Sequence, residues 1–150
     1  MIFLSKVHGY LLLKLPAAYL CGVRVAHMSS DEVRTKVRHR WINQNPFRSL
    51  FWAVQGMAAE LATGLLILNE VHREAVSMAT LLIGVQGSFT KKARGTIYFT
   101  CDAGLKVQEH IKKALASGGG EVFDLVARGV DEQGDQVAEF IFTWSLKKRG

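Results

Sequence analysis

Glu60 is the only charged residue between Arg48 and Glu70. A carboxylate in so apolar a stretch loses hydration. That penalises its charged form, raises its pKa and suits it to work as a general base or nucleophile. The competing reading is a structural carboxylate tied to a backbone donor or to an arginine of a neighbouring sheet. Asn45 stands upstream, directly before Pro46. It reads either as the N-cap of the helix that follows or as a donor to a substrate carbonyl, or as a group that orients a water. The start of that helix is itself chemically useful, because its free N–H groups and positive dipole end stabilise an oxyanion, as acyl transfer requires. Lys91, Lys92, Arg94 and Gly95 form a basic turn, which either grips phosphates or is an ordinary solvated β-turn. Arg34, Lys36, Arg38 and Arg40 share one side of an alternating stretch. That side is a solvated strand face, an interface or a phosphate track. No P-loop or dinucleotide-binding glycine pattern is present, and Gly118-Gly119-Gly120 lacks the flanks of a nucleotide loop. The 5 histidines show no metal-ligand spacing, and His39 reads as a core residue.

The elements that must position these groups follow from periodicity. Asn45 and Pro46 suit the N-cap and first turn of a helix predicted over residues 45–69. Its apolar residues, from Phe47 and Leu50 to Leu66 and Leu68, leave no polar stripe, so the helix is buried. Glu32 to Trp41 alternates strictly, with Val33, Thr35, Val37, His39 and Trp41 on the inner side, the signature of a half-buried strand. Val23–Met28, Ala79–Thr90 and Thr96–Asp102 read as strands, Leu105–Ala116 as a helix, and Glu121–Val130 with Gln136–Leu146 as a hairpin. In the last strand Ala138, Phe140, Phe142, Trp144 and Leu146 share a face. Within the first 20 residues, positions 3 to 15 read as a short amphipathic helix rather than a leader, because Lys14 and Pro16 break the apolar run. One apolar helix among six strands is best covered by a single curved antiparallel sheet, whose edge a partner's sheet can extend.

The 150 residues make one domain (1–150), and 49% hydrophobic residues suffice for a core. Lys+Arg 19 against Asp+Glu 13 gives +6, which favours anionic partners: nucleic acid, anionic lipid or a phosphorylated small molecule. The basic strand face has no interleaved aromatic residues on which bases would stack, so nucleic acid is not expected. Glu60 and Gln55 near the middle of the long helix argue against stable membrane insertion. Cys21 and Cys101 are far apart with no CxxC spacing. They read as free thiols of a cytoplasmic protein, with neither a metal site nor a disulfide framework.

The run from Asn45-Pro46-Phe47 to Ala58-Ala59-Glu60 resembles the hotdog-fold acyl-CoA thioesterase superfamily, in particular its phenylacetyl-CoA thioesterase type and the YiiD-like thioesterase domains. There an Asn precedes the central helix and an acidic residue follows on it at the spacing of Asn45 and Glu60. The resemblance spans about residues 20 to 148. It implies an α+β hotdog fold, with a curved antiparallel β-sheet wrapped around a long central apolar helix. It implies a homodimer or dimer of dimers with interfacial sites that hydrolyse acyl-CoA or acyl carrier protein thioesters. Glu60 and Asn45 would be catalytic, Phe51, Trp52, Thr63 and Gly64 would line the acyl pocket, and Lys91, Lys92, Arg94 and Gly95 would meet the CoA phosphates. No cofactor is implied beyond CoA as part of the substrate. The family's His-Gly-Gly at the helix start is Phe51-Trp52-Ala53 here. That narrows the space beside the helix and keeps a second expectation in play, a non-catalytic acyl-CoA-binding module.

Overall fold

The alternation that begins at Glu32 places Val33, Thr35 and Val37 inside and Arg34, Lys36 and Arg38 outside. The other strands are built on the same period of two. In a computed structural model of the chain, which describes residues 4–150, the elements run α1 (Leu4–Lys14), α2 (Pro16–Leu20), β1 (Arg24–Met28), β2 (Val33–Arg38), a 3-10 turn (Trp41–Asn43), α3 (Trp52–Arg73), β3 (Met78–Phe89), β4 (Thr96–Cys101), α4 (Gly104–Ser117), β5 (Gly120–Val130) and β6 (Gln136–Lys148). The strands form one 6-stranded sheet in the order β1-β2-β4-β5-β6-β3, antiparallel at every pairing.

The sheet curves around α3. Ala58, Ala59 and Ala62 are fully buried and let the helix approach the strands closely. The Thr35 hydroxyl of β2 donates to Ala58 O at 2.6 Å. Phe99 of β4 and Phe140 and Phe142 of β6 fill the space beneath, with Phe140 in edge contact with Phe99 and stacked on Phe142. This is the hotdog fold: a curved antiparallel sheet around a 22-residue central helix.

Four boundaries differ from the periodicity reading. The central helix starts at Trp52, not Asn45. Asn45 instead closes a turn: its N–H donates to Ser49 O at 2.9 Å, its Oδ1 accepts from the N–H groups of Phe47 and Ser49, and Arg48 adopts φ 61°, which interrupts any helix. A bridge between Gln44 and Leu50 seals the loop. The helix also continues past Asn69 to Arg73, because Glu70, only 2% exposed, is held by Arg73 at 2.7 and 2.9 Å. Trp41, expected inside, is 84% exposed. The strand stops at Arg38, and Asn43 folds the chain into the 3-10 turn by accepting from Arg40 N–H and donating to Cys21 O and Arg38 O. The N-terminal segment is two helices because Pro16 opens α2; Phe3, where the first helix was expected to begin, lies outside the described residues. Among the described residues no helix is long and apolar enough to cross a membrane, and no group of His, Cys, Asp or Glu could hold a metal ion.

Candidate active site

Glu60 lies in the third turn of α3 and is half-buried. It lines a cavity of about 200 Å³ with Gly64, Leu65, Trp144, Tyr10 and Leu15, and borders a second hollow under α2 with Lys14, Pro16 and Met57. Among the described residues its carboxylate has neither a hydrogen-bond nor an ion-pair partner. Burial therefore pushes its pKa above the usual carboxylate range. This separates it from Glu70 on the same helix, which is clamped by Arg73.

The neighbourhood of Glu60 is kept open by glycine and fixed by Thr63. A Cβ on Gly64 would stand 3.2 Å from Glu60 Oε1 and 3.6 Å from the Trp144 ring, so the absence of a side chain there preserves the cavity. Thr63 is fully buried. It accepts from Trp144 Nε1 at 3.1 Å and donates to Glu60 O at 2.9 Å, so it orients the indole that forms the cavity wall rather than lining the cavity itself.

A second station lies at the helix start. Phe51 is the N-cap and supplies no side-chain cap; its carbonyl accepts from Val54 and Gln55 N–H. The N–H groups of Trp52 and Ala53 have no acceptor among the described residues. Trp52 borders a cavity of about 490 Å³ together with Asn45, Ser49, Gln55, Lys91 and Lys92. Phe51 and Trp52 stand edge to face over this end, ring centroids 6.1 Å apart, and are 43% and 58% exposed. Asn45 is half-buried with its amide engaged by Ser49 and Leu50. Gln55, which the sequence reading did not single out as a site residue, is 5% exposed; its Nε2 donates to Leu50 O at 3.3 Å while its Oε1 has no partner. A lone amide within an apolar helix was the available signal.

The basic turn is divided. Lys91 Nζ is held by Asp131 at 2.6 Å and Asp135 at 2.7 Å, which raises its pKa and lowers that of Asp131 through the shared hydrogen bond. Lys92 Nζ donates to Phe47 O and Arg94 Nε to Arg48 O, and both cations are otherwise open to solvent. Gly95 has φ +69°, and a Cβ there would meet the Glu132 carboxylate at 3.0 Å, so glycine is required by the turn.

Within one chain, Asn45, Trp52, Gln55 and Lys92 come together, and Glu60, Gly64 and Trp144 come together, but the two groups line different cavities. Glu60 lies eight positions after Trp52, about 12 Å along the helix axis.

The family model described as "Domain of unknown function (DUF4442)" matches residues 8–146. A protein of unknown function from Pseudomonas aeruginosa, described as a probable thioesterase, is 20% identical over 99% of both chains with a TM-score of 0.84. A protein of unknown function from Chlorobaculum tepidum is 14% identical over 97% of this chain and 94% of its own, TM-score 0.82. A thioesterase from Haemophilus influenzae is 10% identical over 99% and 92%, TM-score 0.69. At these identities the likeness is one of fold. No curated protein matches the chain.

Proposed function

The chain belongs to the family described as a domain of unknown function (DUF4442), and from its thioesterase-like hotdog fold and the geometry of α3 we propose that it hydrolyses acyl thioesters of CoA or acyl carrier protein. The observation that carries this reading is Glu60: a desolvated carboxylate without a partner, on a cavity wall, in the middle of the central helix. A structural carboxylate in such a place would be bonded, as Glu70 is.

Glu60 takes a proton from a water, whose oxygen adds to the thioester carbonyl. The resulting oxyanion is held by the Trp52 and Ala53 N–H groups, with Asn45 beside them. Collapse breaks the C–S bond, and the thiolate leaves with the proton from Glu60. About 12 Å of helix separates base from oxyanion donors, so one thioester cannot reach both on one chain. A second copy related by a two-fold axis sets the helix start of one chain against Glu60 of the other, which makes the working unit a homodimer. The strand that invites this pairing is β3. It is 12 residues long and lies at the sheet edge, with Val85 57% and Phe89 48% exposed on its inner side. An edge so long and apolar is stable when paired. Lys92 and Arg94, with exposed Arg48 across the turn, remain available to CoA phosphates, whereas Lys91 is neutralised by its carboxylates.

A second reading, an acyl-CoA-binding module without turnover, is favoured by the bulky Phe51 and Trp52 at the helix start, whose rings stand edge to face there. Thiol release from acyl-CoAs of varied length separates the two. Turnover by the wild type that is lost in Glu60→Gln supports hydrolysis at Glu60. Absence of turnover in both, with acyl-CoA still raising Tm, leaves the binding module.

A further inference from the structure

The N-terminal helices roof one long side of α3, and three hollows line up beneath them. Nearest the start is the hollow between Met57 and Glu60 under α2. Next is the cavity of about 200 Å³ from Glu60 to Leu68. Beyond it a third, of about 370 Å³, lies between Lys6, Tyr10 and His72. Neighbouring hollows share walls: Glu60 and Leu15 separate the first two, and Tyr10, Leu65 and Leu68 separate the second from the third. Between Glu60 and the far end the lining side chains are apolar or aromatic except for the hydroxyl of Thr80, and strongly polar side chains return only at Lys6 and His72. A narrow apolar slot that begins at a reactive carboxylate fits a single flexible hydrocarbon chain.

We propose that the acyl chain of the thioester lies in this slot between α1 and α3, and that Tyr10 sets its length. This deepens the thioesterase reading and rests on it. Glu60 to Leu68 spans about 12 Å and Glu60 to His72 about 18 Å. An extended alkyl chain advances about 1.3 Å per carbon, from the tetrahedral angle and a C–C bond near 1.5 Å. The segment before Tyr10 therefore takes about nine carbons, and the whole slot about fourteen. Tyr10, 42% exposed, stands between the two lengths as a partition with no structural load in the core.

Non-hydrolysable S-alkyl-CoA thioethers with chains of four to sixteen carbons test this in the full chain, with affinity measured by calorimetry beside the hydrolysis panel. In the wild type, affinity should rise by up to about fourfold per methylene and level off near nine or ten carbons. Tyr10→Ala should carry the rise on to about fourteen. Leu68→Trp, at a position 40% exposed, should bring the plateau forward. Identical plateaus in all three proteins overturn the proposal, as does an affinity that ignores chain length. Hydrolysis whose length profile does not respond to Tyr10 or Leu68 removes the slot and leaves the thioesterase. Length-dependent thioether binding without turnover keeps the slot and removes the hydrolase.

Discussion

Glu60 carries two predictions at the scale of a single residue. Its folded pKa is raised above 4.5 by burial. Between that value and the folded pKa the native state binds more protons than the unfolded chain, so stability falls as pH rises through this window, and the deficit persists above it. Glu60→Gln should therefore match the wild type in acid below the window and be at least as stable at neutral pH, as read from denaturant midpoints across pH. The activity proposed for Glu60 needs the carboxylate, so the rate should fall as pH drops through a pKa above the ordinary carboxylate range. Thr63 gives a contrasting case. Thr63→Val removes the acceptor for Trp144 Nε1, which is nearly buried. An unpaired indole N–H costs about 1–3 kcal/mol, and both the urea midpoint and Trp fluorescence should report the loss. A variant with unchanged stability would mean that Trp144 is not held by Thr63.

At the scale of elements, close approaches decide tolerance. Gly104 begins α4, where a Cβ would collide with Ser30 O and Asp31 Cα. These are backbone atoms of the β1–β2 turn and cannot turn aside. Gly104→Ala should therefore push α4 off that turn and cost about 1–3 kcal/mol, as overpacking typically does; denaturant unfolding reads it directly. The contrast is Gly134, at φ +84° with nothing within 4 Å of the added Cβ, where substitution meets backbone strain alone. The edge strand β3 makes the third case. Val85→Asp places a charge on a face that one chain leaves 57% exposed. The monomer should stay folded while the proposed dimer dissociates, seen as a halved mass in light scattering. A mass unaffected by the change would exclude this edge as the interface.

At the scale of the whole molecule, the strands, their order along the chain and the buried central helix were legible because each is written in a short-range period: two for β2 and β6, and unbroken apolarity for α3. The special position of Glu60 was legible for the same reason, since one charge in an apolar run needs no partner to be conspicuous. What the chain alone could not decide depends on contacts distant in sequence. Asn45 and Pro46 satisfy every local rule for a helix start, yet the bonds to Ser49 and the positive φ of Arg48 turn them into a loop. Lys91 looks like its neighbours Lys92 and Arg94 until folding brings Asp131 and Asp135 against it. The slot under α1 joins residues 6–15 to residues 60–72, and no periodicity within either segment announces it. Local pattern determined which residues face inward, since burial follows from the geometry of a single helix or strand. Tertiary structure decided which polar groups are satisfied and which are left free to act, because a hydrogen bond or ion pair exists only once both partners have been brought to one place.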